Sequence, residues 1–142
     1  MARMTLEEIN HFLVEHFPQG MEYGVVEALF HQGARLRLTP LQAHLRPGGT
    51  VSGPVMMALA DVTLYVAVLS EIGPVPLAVT TNLNINFLQR PKPGADLIAE
   101  ARLLKLGRRL AVGEVTLHSE GMEMPVAHVT STYSIPPIED GG

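Results

Sequence analysis

The stretch SGPVMMALADVTLYVAV, residues 52–68, constrains the fold more than any other part of the chain. With its continuation to Ile72 it reads as one helix from about Pro54. Proline suits a first helical turn, and Gly73-Pro74 stops the run. The helix is apolar on every face, so it must be buried all round. Its length approaches that of a membrane span. However, its midpoint carries Asp61, no basic flank follows, and the rest of the chain offers short strands that need a helix to cover them. We therefore expect a core helix and no membrane.

The flanking segments define what covers it. Residues 5–17 form an amphipathic helix: Thr5 and Glu8 make a capping box, Leu6, Ile9, Phe12, Leu13 and Phe17 share a face, and Pro18 and Gly20 end it. Residues 23–31 and 34–38 read as a hairpin about Gln32-Gly33, and residues 39–53 as a loop. Strands are expected at 76–88, 96–105, 109–118 and 124–135, with breaks at Pro91, Pro93 and Gly94, at Leu106-Gly107-Arg108 and at Gly121. This pattern predicts a single α+β domain over residues 1–142. An antiparallel sheet of about six strands wraps a long central helix, residues 1–20 carry the N-terminal helix, and residues 136–142 form a frayed tail. The sheet edge, and the face opposite the helix, predict at least a homodimer.

Composition narrows the function. The net charge of −4 argues against nucleic-acid binding. There is no cysteine, hence no disulfide frame, and the first residues are acidic rather than signal-like; both fit the cytoplasm. Charge is unevenly spread: six of the ten basic residues lie between Arg90 and Arg109. A local basic patch on an acidic protein suggests a small anionic ligand, with solvated hairpin ends as the plainer reading. The six histidines show no metal-ligand spacing on the helix lining the expected pocket, so no metal is expected.

Asp61 is the chemical anomaly. Its helical neighbours are Met57, Ala58, Leu64 and Tyr65. A carboxylate in such surroundings is costly unless it is partnered. It can bridge to backbone, sit at a solvated helix edge, or face a pocket as a general base or nucleophile; the last accounts best for its position. The helix start supports that reading. Free backbone N–H groups there carry partial positive charge and can hold a developing oxyanion. Gly53 lets a substrate come close to its N–H, although a glycine before proline also simply begins a helix. Gly53 and Asp61 are eight residues apart, about 12 Å along a helix. One helix cannot easily bring both to one carbonyl, whereas two helices related by a dimer axis can. On strand 76–88, period-two alternation puts Thr80, Asn82, Asn84 and Asn86 on one face and Leu77, Val79, Thr81, Leu83, Ile85 and Phe87 on the other. The polar row can orient a water or a ligand amide, or form a ladder facing solvent.

A glycine at the helix start, MMALAD, NINFLQRPKPG after the helix and KLGRRLAVGEVTL then resemble, over residues 40–135, the hotdog-fold acyl-CoA thioesterases of the phenylacetate-degradation (PaaI-like) family. The resemblance implies paired subunits, often tetramers, and hydrolysis of an acyl-CoA thioester to free acid and CoA. CoA enters as part of the substrate, and no separate cofactor is implied. Asp61 matches the catalytic carboxylate, Gly53 the oxyanion donor and Thr80 the hydroxyl beside the water. Arg90, Lys92, Arg108 and Arg109 lie where such proteins meet CoA phosphates. The chain departs from the pattern at Ser52-Gly53-Pro54, where the family commonly has His-Gly-Gly, and at Arg46, where an asparagine is frequent. Ser52 and Arg46 are candidate replacement donors to the substrate. Asn82, Met57 and Tyr65, with Met56, are further substrate-side candidates, the apolar ones for a medium-chain or aryl acyl group, with core packing as the plainer reading of each apolar one. The altered helix start also admits a non-catalytic acyl-CoA binding or sensor protein on the same fold.

Overall fold

The computed structural model describes residues 4–137. Thr5 caps α1 (Leu6–His16): its hydroxyl accepts the Glu8 N–H while the Glu8 carboxylate accepts the Thr5 N–H. Ile9, Phe12 and Leu13 bury the inner face of α1. A 3-10 turn over Pro18–Tyr23, not expected from the sequence, leads into the sheet. The strands are β1 (Val25–Phe30), β2 (Gly33–Leu38), β3 (Val79–Phe87), β4 (Leu97–Leu106), β5 (Leu110–Ser119) and β6 (Ala127–Ser134). They form one antiparallel sheet in the order β1-β2-β4-β5-β6-β3, which leaves β1 and β3 as edges. The expected tail lies largely outside the described residues, from 138 onward.

The central helix α2 (Gly53–Ile72) lies against the apolar face of this sheet. It begins one residue earlier than expected because Ser52 is its N-cap, accepting the Val55 N–H at 3.4 Å. From Val62 to Glu71 every residue is buried. Alternate residues of β4, β5 and β6 supply the opposing wall: Leu97, Ala99, Ala101 and Leu103; Ala111, Val115 and Leu117; Ala127 and Val129. Gly113 on β5 completes it, because any Cβ there would collide with Leu64. The outer face of the sheet, by contrast, carries Glu100, Arg102, Glu114, Thr116, His128, Thr130 and Asn84 in register. It is a wettable surface, unlike the apolar inner one.

Two local irregularities matter for the site. Between Thr80 and Asn82 the β3–β6 register shifts: Thr80 pairs with Tyr133 and Asn82 with Thr132, so Thr81 is an inserted bulge residue. At the head of α2, Arg46 to Thr50 forms a tight turn closed by the Arg46 N–H to the Thr50 carbonyl at 2.9 Å. Gly48 and Gly49 sit there at φ 101° and 80°, a region that side chains rarely enter.

Candidate active site

The bulge decides which polar residue of β3 meets the helix. Directly paired residues of an antiparallel sheet share a face. Thr80 therefore points inward with Tyr133, whereas Asn82, Asn84 and Asn86 point outward with Thr132, Thr130 and His128. The expectation of one continuous polar row is corrected here. Strict alternation would hold only without the inserted residue. Asn82 is exposed and bonds Asn84 at 2.8 Å, away from Asp61.

Asp61 is half-buried on α2, and its Oδ1 receives two hydroxyls. Thr80 Oγ1 donates at 2.6 Å and Tyr133 OH lies 2.7 Å away. The same phenol also lies 2.9 Å from the Asp61 carbonyl. Both side-chain bonds converge on one carboxylate oxygen, which leaves Oδ2 without a hydrogen-bond partner among the described residues. Tyr133 is only 2% exposed. Burial first, and the Asp61 charge second, push its phenol well above the usual range, so it stays a protonated donor. Tyr65 stacks near it at 6.1 Å between ring centroids and donates to the Pro76 carbonyl at 3.1 Å. Burial raises the Tyr65 phenol as well.

These groups line a cavity of about 260 Å³ walled by Phe17, Val62, Pro76, Ala78, Val79 and the ring of Tyr65. Phe17 packs edge-on against Tyr65 at 5.7 Å. His16 is exposed and forms part of the cavity rim, stacked on Phe12 at 4.7 Å. No histidine hydrogen-bonds Asp61 among the described residues.

Gly53 lies elsewhere. Its N–H, at the first turn of α2, has no acceptor among the described residues. It opens on a second groove of about 500 Å³ lined by Arg46, Thr50, Met56, Phe87, Gln89 and Arg90. A Cβ on Gly53 would come within 3.2 Å of the Phe87 ring. The Asp61 cavity and the Gly53 groove share no lining residue, as the helical spacing required. Ser52, a candidate donor, is engaged as N-cap and does not line that groove. Met57 is 40% exposed on the open side of α2 and lines neither cavity.

The basic residues divide too. Arg90 and Lys92 follow the Phe87 end of β3, and the Lys92 N–H is tied to Ser119 at 2.9 Å. Arg108 and Arg109 form the β4–β5 turn at the opposite end of ten-residue strands, where Leu110 pairs with Ser134 and Ser134 with Val79. That separation is about 30 Å of strand. Within one subunit the four do not form one patch.

Comparison with known proteins names this arrangement. The thioesterase superfamily profile matches residues 48–126, from the turn before α2 through β5. The chain belongs to the thioesterase superfamily. A candidate thioesterase of Silicibacter sp. TM1040 superposes with a TM-score of 0.89 at 50% identity, covering 96% of this chain and 95% of that one. The phenylacetic acid degradation protein PaaI of Thermus thermophilus, solved as a mutant, gives 0.73 at 29% identity, over 84% and 99%. A candidate esterase of Pseudomonas aeruginosa, PA0474, is 34% identical over 96 residues, 67% of this chain and 69% of its own. A Streptococcus mutans UA159 protein solved with acetyl-CoA shares the fold at 22% identity, with a TM-score of 0.71 over 79% of this chain and 87% of that one. This is a hotdog-fold thioesterase of the PaaI-like kind, and the chemistry of its family is hydrolysis of a thioester.

Sequence reasoning missed Tyr133, Phe17 and His16 as neighbours of Asp61. The signal for Tyr133 was available. In AHVTSTYS the inner-face residues run Ala127, Val129, Ser131 and Tyr133, so two hydroxyls fall on an otherwise apolar face.

Proposed function

We propose that the protein hydrolyses acyl-CoA thioesters at a site shared between two subunits, with Asp61 of one and Gly53 of the other. The observation that carries this reading is Asp61 itself: a carboxylate held at Oδ1 by two hydroxyls, with Oδ2 unpartnered, on the wall of an apolar cavity next to a free sheet edge.

The edge supplies the reason for a second subunit. β3 is unpaired on one side, and Leu77, Val79, Phe87 and Leu88 along it are exposed. Antiparallel pairing of two β3 edges about a two-fold axis near Leu83 lays the Phe87 end of one strand beside the Thr80 end of the other. Gly53 rests on Phe87. The same operation therefore carries Gly53 of the partner subunit toward Asp61, and Arg90 of the partner subunit toward the end that holds Arg108 and Arg109. The two halves of the basic set then flank one cleft, suited to the phosphates of CoA. The CoA-bound relative supports this ligand class.

In this site a water lies against Oδ2. Its oxygen attacks the thioester carbonyl carbon while Asp61 takes a proton. The carbonyl oxygen becomes an oxyanion against the partner's helix mouth. Collapse breaks the C–S bond, the thiolate of CoA leaves with the proton, and the free acid remains. Attack by Oδ2 itself, through an acyl-enzyme anhydride, is the competing route. A single turnover in ¹⁸O-water bears on the choice: direct attack always labels the first product acid, whereas water opening the anhydride at the aspartyl carbon leaves the label on Asp61 and the first acid unlabelled. Phe17, Tyr65, Pro76 and Ala78 favour an aryl or medium-chain acyl group over a long chain.

The test is an acyl-CoA panel (acetyl, phenylacetyl, octanoyl and palmitoyl) assayed by thiol release with wild type and Asp61→Asn. Hydrolysis by wild type and its collapse in the variant support the assignment; equal rates end it. The replaced helix start, Ser52 and Pro54, favours a second reading. Tight CoA binding with no hydrolysis by wild type would make the protein an acyl-CoA sensor.

A further inference from the structure

We propose that Tyr133 is a positioning residue that fixes which oxygen of Asp61 reacts: its hydroxyl, with that of Thr80, holds Oδ1 and leaves Oδ2 as the reacting atom. The inference rests on the reading of Asp61 given above and deepens it.

The geometry is specific. Thr80 and Tyr133 are directly paired residues of β3 and β6, and the bulge at Thr81 turns Thr80 to the inner face beside Tyr133. Their hydroxyls reach the same oxygen from two strands, at 2.6 and 2.7 Å, while Asp61 comes from α2. Three elements thus converge on one atom. A carboxylate with both oxygens free rotates about its Cβ–Cγ bond and presents either one. With one oxygen anchored by two donors, the plane of the group is set and the other oxygen is displayed. Tyr133 is buried and Ala111 flanks it on the other strand, so its ring cannot swing out of this bond without opening the core. Tyr65, the nearest other phenol, donates to Pro76 instead.

The groups that face Asp61 among the described residues are Thr80 from β3, Tyr133 from β6, Tyr65 from its own helix and His16 from the rim formed by α1; no lysine or arginine among them lines the cavity. With the Tyr133 hydroxyl lost, Thr80 is the one group of this set left bonded to Oδ1, and a single donor leaves the plane of the carboxylate free to turn.

The experiment compares kcat and KM for wild type, Tyr133→Phe and Asp61→Asn, with phenylacetyl-CoA and octanoyl-CoA, beside their melting temperatures. Tyr133→Phe is expected to lower kcat about tenfold with KM within about twofold, the scale of one misplaced proton acceptor. The same fall is expected in a His16→Gln background. Biosynthetic replacement of the three tyrosines by 3-fluorotyrosine, which keeps each hydroxyl, should leave kcat within about twofold of wild type. An unchanged kcat in Tyr133→Phe, a loss carried by KM instead, or a tenfold fall on fluorination overturns the role of Tyr133 while an inactive Asp61→Asn leaves the catalytic reading standing. A kcat effect that vanishes with His16→Gln overturns it as well, since the rim histidine would be its source. Full activity of Asp61→Asn removes the foundation of both.

Discussion

The two halves of α2 carry one acid each and treat it in opposite ways. From Gly53 to Asp61 the helix is only partly covered, and Pro54 and Met57 are exposed. From Val62 to Glu71 it is buried throughout. Asp61, at the junction, takes its bonds from hydroxyls and lines a cavity. Glu71, in the buried half, accepts the backbone N–H of Gln32 at 3.1 Å. Gln32 sits at φ 55°, a left-handed position costly for a residue with a side chain, at the turn of the β1–β2 hairpin. One acid thus braces a strained turn. The other is held ready beside open space. Burial alone therefore does not mark a functional acid; what its oxygens touch does.

Four substitutions would break or sharpen that contrast. Asp61→Asn should lower thioester hydrolysis about 10²-fold or more, the usual scale for a positioned base, with little change in melting temperature. A large loss of stability instead would move Asp61 to the structural class. Gly53→Ala should cost about tenfold in kcat: its N–H survives, but the new methyl crowds Phe87, and small misplacements of an oxyanion donor are expensive. Steady-state kinetics reads this, and an unchanged kcat would argue that the helix mouth takes no part. Glu71→Gln should do the reverse of Asp61→Asn. Denaturant melts should show a loss of about 1 kcal/mol, since the amide oxygen can still accept the Gln32 N–H but without its charge. Activity per folded molecule should hold, and a rate defect would erase the distinction between the two acids. Asn82→Ala is the smallest change, with kcat/KM within about twofold of wild type, because the residue points away from the helix. A tenfold loss would bring the outer sheet face into the reaction.

Much of this was legible in the sequence for identifiable reasons. The apolar run with its proline start and Gly-Pro stop could only be a core helix, and the alternating segments between turn signals gave all six strands to within a few residues. The separation of Gly53 from Asp61 followed from helical rise alone. The inward turn of Thr80 did not follow, although the residue was singled out by resemblance, because a bulge is a property of pairing between strands and leaves no mark on one of them. The inward face of Tyr133 could be read from alternation, but its meeting with Asp61 was hidden for a related reason. It lies 72 positions from Asp61, and only the folded sheet brings it to 2.7 Å. The basic residues were read as a cluster because they are close in sequence, but a β4–β5 hairpin sends its turn to the far end of the sheet from its entry.

The extra residue in β3 has an evolutionary consequence. Absorbing Thr81 into the ladder at unchanged length would restore plain alternation and keep a pairable strand, yet it would swing the hydroxyl at position 80 to the solvent side. Deleting Thr81 would not, because Thr80 would then directly precede the outward Asn82 and stay opposite Tyr133. The integrity of the centre is therefore guarded by register as well as by an alphabet. A lineage could lose its chemistry through a slip in pairing while every residue named in the site was still encoded.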